Sequence, residues 1–300
     1  MNARRGLRVV LAVVPAVLAH SVPARAQAGA QPVVHGGAPS VSPDGSRIAF
    51  LSERGGTTDV FVSAADGTGE VRLTDTPERE GQPEWSADGK ELRFSVYAGD
   101  SSRLYTVGLD GKGSRLLGAV PGRALRMSPD ARSVLYWTGT WTAMKMFSSN
   151  LDGSGARPLT DGSGVVWGAR WSPDGKRIAF ADHDERGNLH VYSIASDGSD
   201  RRRVTRLGPE DLREQMPAWS PDGSKLAVQA GAKGEPTHVW IVEVSTGAGH
   251  KLAPHDEAYQ DETPAWFPDG KRLAFQSDRT GRMEVWVMSA DGSDQRQVTR

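Results

Sequence analysis

The chain has 300 residues, a formal net charge of −1, 35 glycines, 7% aromatic residues and no cysteine. The near-neutral balance leaves no basic field for nucleic acid, and the lack of cysteine removes disulfides, thiolate metal sites and a lipidated N-terminal cysteine. Abundant glycine suits many short strands joined by tight turns.

In chain order, residues 1–26 read as a signal peptide. Arg4, Arg5 and Arg8 form a positive n-region, Val9 to Ala19 an apolar run of 11, and Ala24-Arg25-Ala26 an A-x-A cleavage site, with Ala26-Gln27-Ala28 as an alternative. The run is too short to span a bilayer as a mature helix and no other long apolar run follows, so no membrane insertion is expected. Without the four arginines of this segment the remaining chain carries −5. Residues 27–32 form a short linker, and export to a bacterial periplasm is expected.

From residue 33 one phrase recurs six times, beginning "VSPDGSRIAF" at Val41, "WSADGKELRF" at Trp85, "MSPDARSVLY" at Met127, "WSPDGKRIAF" at Trp171, "WSPDGSKLAV" at Trp219 and "WFPDGKRLAF" at Trp266. Its aspartates, Asp44, Asp88, Asp130, Asp174, Asp222 and Asp269, are spaced by 44, 42, 44, 48 and 47 residues, the signature of a repeat architecture. Within a unit, a short segment ending in a large apolar residue (strand A) precedes the "SPDG" turn. An alternating run such as Arg47 to Ser52 follows as strand B. After a loop comes strand C, as in "DVFVSA" or "EVWVMS". A second Asp-Gly turn, replaced by Ser245-Thr246-Gly247 in the fifth unit, leads to a short strand D.

Four short antiparallel strands per unit describe a propeller blade. The expected fold is all-β, a six-bladed β-propeller of four-stranded antiparallel blades over 33–300, with blades at about 33–75, 76–118, 119–161, 162–206, 207–253 and 254–300. A strand A near Val34 to Val41 and a final strand D at Gln297 to Thr299 imply whole blades, with the ring closed by packing of the first blade on the last.

These phrases, the "SDRTG" loop at Ser277 to Gly281, the "EVWVMSADGS" stretch from Glu284 and the closing "RQVT" resemble the TolB-type propeller repeat over about residues 33 to 300. The resemblance implies a partner that is a periplasmic or envelope protein, as in the Tol-Pal system. It departs from that family in leaving no room for an α/β domain ahead of the first blade. Similar propellers also precede peptidase domains or stand alone in some polysaccharide lyases.

Strand order places the short "SPDG" and C-D turns on one face and the longer, irregular D-A and B-C loops on the other, where function is expected around the mouth of the central channel. Five residues before the last residue of strand A, the register holds Glu80, Glu214 and Asp261 against Gly36, Gly122 and Val166. Three carboxylates at one radial position read either as solvated loop charge or as a site for a basic peptide or a cation. Trp85, Trp171, Trp219, Trp266, Trp240 and Trp286 recur in register and are expected between blades. Trp141 and Trp167 break the pattern and, with Tyr97 nearby, read as binding anchors. Trp137 is a weaker candidate because the end of a strand B also explains it.

His35, His183 and His255 fall in loops, and His190 and His238 share a register with Asp59 and Glu284 on the third strand from the axis, too far out to converge easily. No metal or other cofactor is expected. "DHDERG" at Asp182 to Gly187 starts like a calcium loop, but Arg186 replaces an oxygen ligand and the segment reads as a solvated hairpin. G-x-S-x-G, H-E-x-x-H and P-loop motifs are absent from the sequence. The reading is an exported, monomeric, non-catalytic binding or scaffold protein, using Glu80, Glu214, Asp261, Trp141 and Trp167, then Trp137 and His35. The alternative is a carbohydrate-active lyase or hydrolase with a His and carboxylate site at the channel mouth, with or without a divalent metal, which needs at least three of the five named histidines near one point.

Overall fold

The structure, a computed structural model, describes residues 36–209, 211–252 and 258–300. The expected signal peptide and linker, His35 and His255 lie outside the described residues. The first sheet holds β1 (Gly37–Val41), β2 (Arg47–Ser52), β3 (Asp59–Ala64) and β4 (Val71–Arg72); the second holds β5 (Glu84–Trp85), β6 (Glu91–Ala98), β7 (Ser101–Gly108) and β8 (Arg115–Val120). The third holds β9 (Arg123–Met127), β10 (Ser133–Thr140), β11 (Ala143–Asn150) and β12 (Arg157–Pro158); the fourth β13 (Trp167–Trp171), β14 (Arg177–His183), β15 (Leu189–Ala195) and β16 (Arg202–Arg203). The fifth holds β17 (Arg213–Trp219), β18 (Lys225–Gly231), β19 (His238–Glu243) and β20 (Gly249–Lys251); the sixth β21 (Asp261–Trp266), β22 (Arg272–Ser277), β23 (Glu284–Ser289) and β24 (Arg296–Gln297). Each sheet is an antiparallel meander of four consecutive strands, so the chain is a six-bladed β-propeller.

The repeated phrase folds as its chemistry dictates. In the first blade Asp44 Oδ1 accepts from the Ser42 hydroxyl at 2.6 Å and the Ser46 N–H at 3.0 Å, while Ser42 Oγ accepts from the Arg47 N–H at 2.9 Å. Gly45 takes the left-handed φ of +72° that closes the turn. The same serine-aspartate bond recurs at Ser86, Ser128, Ser172 and Ser220. The sixth blade has Phe267 at this position, and Asp269 there accepts from Arg272 at 2.9 Å instead.

The core lies between blades. In the "IAF" of β2, Ile48 and Phe50 pack with Phe267, Val285 and Val287 of the sixth blade, whereas Ala49 packs with Leu92, Phe94 and Val96 of the second. Period-two alternation therefore turns large residues to one neighbour and a small one to the other, and adjacent sheets nest. The pattern repeats with Ile178, Phe180 and Ala179, and with Leu273, Phe275 and Ala274. Burying each such large side chain contributes roughly 1.5–3 kcal/mol.

Among the described residues, no strand is shared at ring closure. Blade one packs on blade six through the Phe50 cluster, the Ala38 N–H donates to Gln276 Oε1 at 2.9 Å, and Arg296 donates to the Ala65 carbonyl at 2.8 Å. Gly67, at φ +90°, lies so close to the Val298 carbonyl oxygen that a Cβ there would collide with it.

Candidate functional site

The three register-matched carboxylates share one place in the repeat, but they face the seams between blades rather than solvent. Glu80, Glu214 and Asp261 are 3%, 0% and 2% exposed. Glu80 Oε2 accepts from the Thr74 hydroxyl at 2.6 Å and the Val60 N–H at 3.1 Å, both in the preceding blade, and Oε1 accepts from Thr76 at 2.9 Å. Glu214 accepts a short hydrogen bond from Thr205 and lies 3.3 Å from His190 Nδ1. Asp261 lies 3.6 Å from His238 Nδ1 and accepts from Arg279 at 2.8 Å. The expected acidic charge at the mouth is thus corrected to a set of inter-blade clasps. Burial is the largest cause that pushes Glu80 up to about 7, offset by the hydroxyls of Thr74 and Thr76. Burial likewise raises Glu214, while Thr205 and His190 pull it down.

The sequence treated the acids and the strand-C register as separate sets; the fold makes them partners. The acid of one blade meets the start of strand C in the blade before it, pairing Glu214 with His190 and Asp261 with His238. At the first seam this position is Asp59, whose own ion pair is with Arg72 at 2.8 Å and whose charge adds to the upward push on Glu80. The threonine closing strand D accepts a strand-C N–H at Thr74, Thr160, Thr205 and Thr299, and at Thr74 and Thr205 it also donates to the clasp acid. Among the described residues, no group of three His, Asp or Glu side chains is disposed to hold a metal ion.

The aromatic sector does assemble on the loop face. Trp141 occupies the tip of the β10–β11 hairpin, half-buried, with its ring 5.0 Å from Trp137 in an edge-on arrangement. Trp137 itself is 7% exposed and belongs to the core cluster with Leu135, Met144 and Met146, so its candidacy as a contact residue is corrected to packing. Arg123, at the start of β9, lies 5.5 Å from the Tyr97 ring centre and 5.7 Å from that of Trp141. This is a cation held between two aromatic faces contributed by adjacent blades. Trp167 is half-buried at the start of β13, 6.1 Å from exposed His183. The sequence reading missed Arg123; the signal available was its register, where the other strands A carry Gly37, Gly81, Trp167, Gln215 and Glu262.

The profile of the TolB beta propeller domain matches residues 14–164 and 170–300. A dipeptidyl-peptidase 5 from Porphyromonas endodontalis is 35% identical over 113 residues, 36% of this chain and 16% of that protein. Among solved structures, TolB from Acinetobacter baumannii aligns with a TM-score of 0.70 and 21% identity over 86% of this chain and 64% of its own. An oligogalacturonate lyase in complex with manganese aligns with a TM-score of 0.58 and 16% identity over 87% of this chain and 76% of its own. The chain spans less than two thirds of the length of the peptidase and of TolB. At these identities the structural likenesses speak for the fold alone. The repeated phrase, the six four-stranded sheets and the profile match along both halves of the chain make this protein a member of the TolB beta propeller domain family.

Proposed function

We propose that the protein is an exported binding or scaffold module that engages an envelope or periplasmic protein through the D-A/B-C loop face, without catalysis of its own. The observation that supports this best is the Tyr97–Arg123–Trp141 stack on that face. Tyrosine, arginine and tryptophan are the side chains that dominate protein-binding hot spots, and here a rigid double-blade scaffold holds them. Trp167, beside His183, extends the surface onto the fourth blade. Glu80, Glu214 and Asp261 serve by holding adjacent blades in register beneath these loops. Export rests on the n-region, apolar run and A-x-A site of residues 1–26.

The test is affinity capture from a periplasmic fraction with the full chain as bait, alongside Trp141→Ala and Arg123→Ala variants of unchanged circular dichroism. A protein retained by the wild type and lost from both variants supports the reading. Equal capture by all three removes it. N-terminal sequencing of the exported chain checks the leader, with Gln27 expected as first residue, or Gly29 for the alternative cleavage site.

A further inference from the structure

A cavity of about 320 Å³ lies on the propeller axis, at the low end of ligand-pocket sizes. Every blade contributes to it the strand-A residue two before the "SPDG" serine or its equivalent: Ser40, Glu84, Arg126, Arg170, Ala218 and Ala265. Pro129 of the "SPDA" turn and Pro173 of the next "SPDG" turn also line it, so it belongs to the end of the channel opposite the aromatic loop face. The ring is lopsided. At this position blades two to four supply large charged groups and the other three only small side chains, which leaves the space.

Charge in this cavity is unbalanced. Among the described residues its charged lining is Arg93, Arg126 and Arg170 against the single carboxylate of Glu84. Arg126 and Arg170 converge on one neutral acceptor: each donates through Nη2 to Gln82 Oε1, Arg170 at 2.8 Å and Arg126 more closely. Their remaining side-chain bonds go to the carbonyls of Leu125 and Ala169. Arg126 Nε lies 3.8 Å from Glu84, whereas Arg170 forms no ion pair within 4.0 Å among the described residues. Glu84 is itself held by the Met127 N–H at 3.2 Å. The indole N–H of Trp171, a further lining residue, is buried with no hydrogen-bond partner, unlike those of Trp85, Trp219 and Trp266, which donate to strand-A carbonyls of the preceding blade.

Two guanidinium forks sharing one amide oxygen form a seat whose natural occupant is a carboxylate. It has the same planar sp² geometry as the Gln82 amide and carries the charge that the amide lacks. We propose that the axial cavity binds a small dicarboxylate anion, one carboxylate replacing Gln82 Oε1 between Arg126 and Arg170. Two negative charges match the excess of three arginines over one glutamate. Burial, then the charge of Arg126, lowers Arg170 well below the usual guanidinium range, and the opposite charge of an anion in the seat offsets both effects. This site is separate from the proposed protein-binding face and stands whether or not that reading survives.

Isothermal titration calorimetry of the full chain with succinate, and with citrate as a larger polycarboxylate, tests the proposal. Succinamide serves as the uncharged control of like shape, and inorganic phosphate as the non-planar anion. Saturable binding of succinate or citrate is expected, with none for succinamide and weaker binding of phosphate. Arg170→Gln and Arg126→Gln should each weaken the carboxylate about tenfold or more. Glu84→Gln, which removes the opposing charge, should strengthen it severalfold, a direction that general damage to the fold does not produce. No saturable binding of either carboxylate in the millimolar range, equal binding of succinamide, stronger binding of phosphate, or arginine variants indistinguishable from wild type would each overturn the proposal.

Discussion

Replacing Glu80 by Gln should make this propeller more stable at neutral pH, although Glu80 makes three side-chain hydrogen bonds. The carboxyl is 3% exposed and its pKa rises from 4.5 to about 7. The folded state therefore holds the proton more tightly than the unfolded chain. Stability from this group is fully present below pH 4.5, declines as pH rises and is lost once pH passes about 7. The shift corresponds to about 3 kcal/mol as an upper figure. Gln is neutral throughout, and its amide oxygen still accepts from the Val60 N–H and the Thr74 hydroxyl, at 3.1 and 2.6 Å in the wild type. Wild type and variant should match within about 1 kcal/mol at pH 4.5, and the variant should lead by up to about 3 kcal/mol at pH 8. Urea unfolding followed by tryptophan fluorescence, at half-unit steps of pH, reads this difference directly. A difference that does not change with pH, or a wild type more stable at pH 8, would show that the donors Thr74, Thr76 and Val60 outweigh burial and would refute the reasoning.

Thr205→Val should cost about 2 kcal/mol in the same assay, because the Val191 N–H and the buried Glu214 both lose the hydroxyl they share. Trp137→Ala should cost about 3–5 kcal/mol, as for a large core side chain, whereas half-buried Trp141→Ala should cost about 1–2 kcal/mol; equal costs would mean that the two rings share one environment. Gly67→Ala should destabilise ring closure more than Gly69→Ala does. Both glycines have positive φ, but only at Gly67 does an added Cβ meet the Val298 carbonyl of the last blade, so melting temperatures that fall equally would rule out that seam contact. Asp44 is held down at about 2 by Ser42 and Ser46, so its contribution is present above pH 3.8 and lost as pH falls toward 2. Asp44→Asn should flatten the acid limb of the stability curve, and an unchanged limb would count against the turn as its source.

The fold was legible because a repeat states its rule six times. Serine, proline, aspartate and glycine at fixed offsets dictate a turn by local chemistry alone, and the alternation in "RIAF" dictates a strand with one large and one small face. Even the aromatic sector could be anticipated, since Trp141 and Trp167 depart from a register that the other units keep. Register along the chain, however, says how far a residue is from a turn; it does not say what the next blade places against it. Glu80, Glu214 and Asp261 looked like surface charge on that count. They became clasps because neighbouring blades bring Thr74, Thr205, His190 and His238 to them across a seam. The axial cavity was hidden for the same reason. Glu84, Arg126 and Arg170 are ordinary polar residues in three separate strands, and only closure of the ring points them at one another. Local periodicity, set by short-range sterics and hydrogen bonding, thus determined the blades. The chemistry of the seams and of the axis was decided by the tertiary structure, where contacts between blades exclude water and give buried charges their partners.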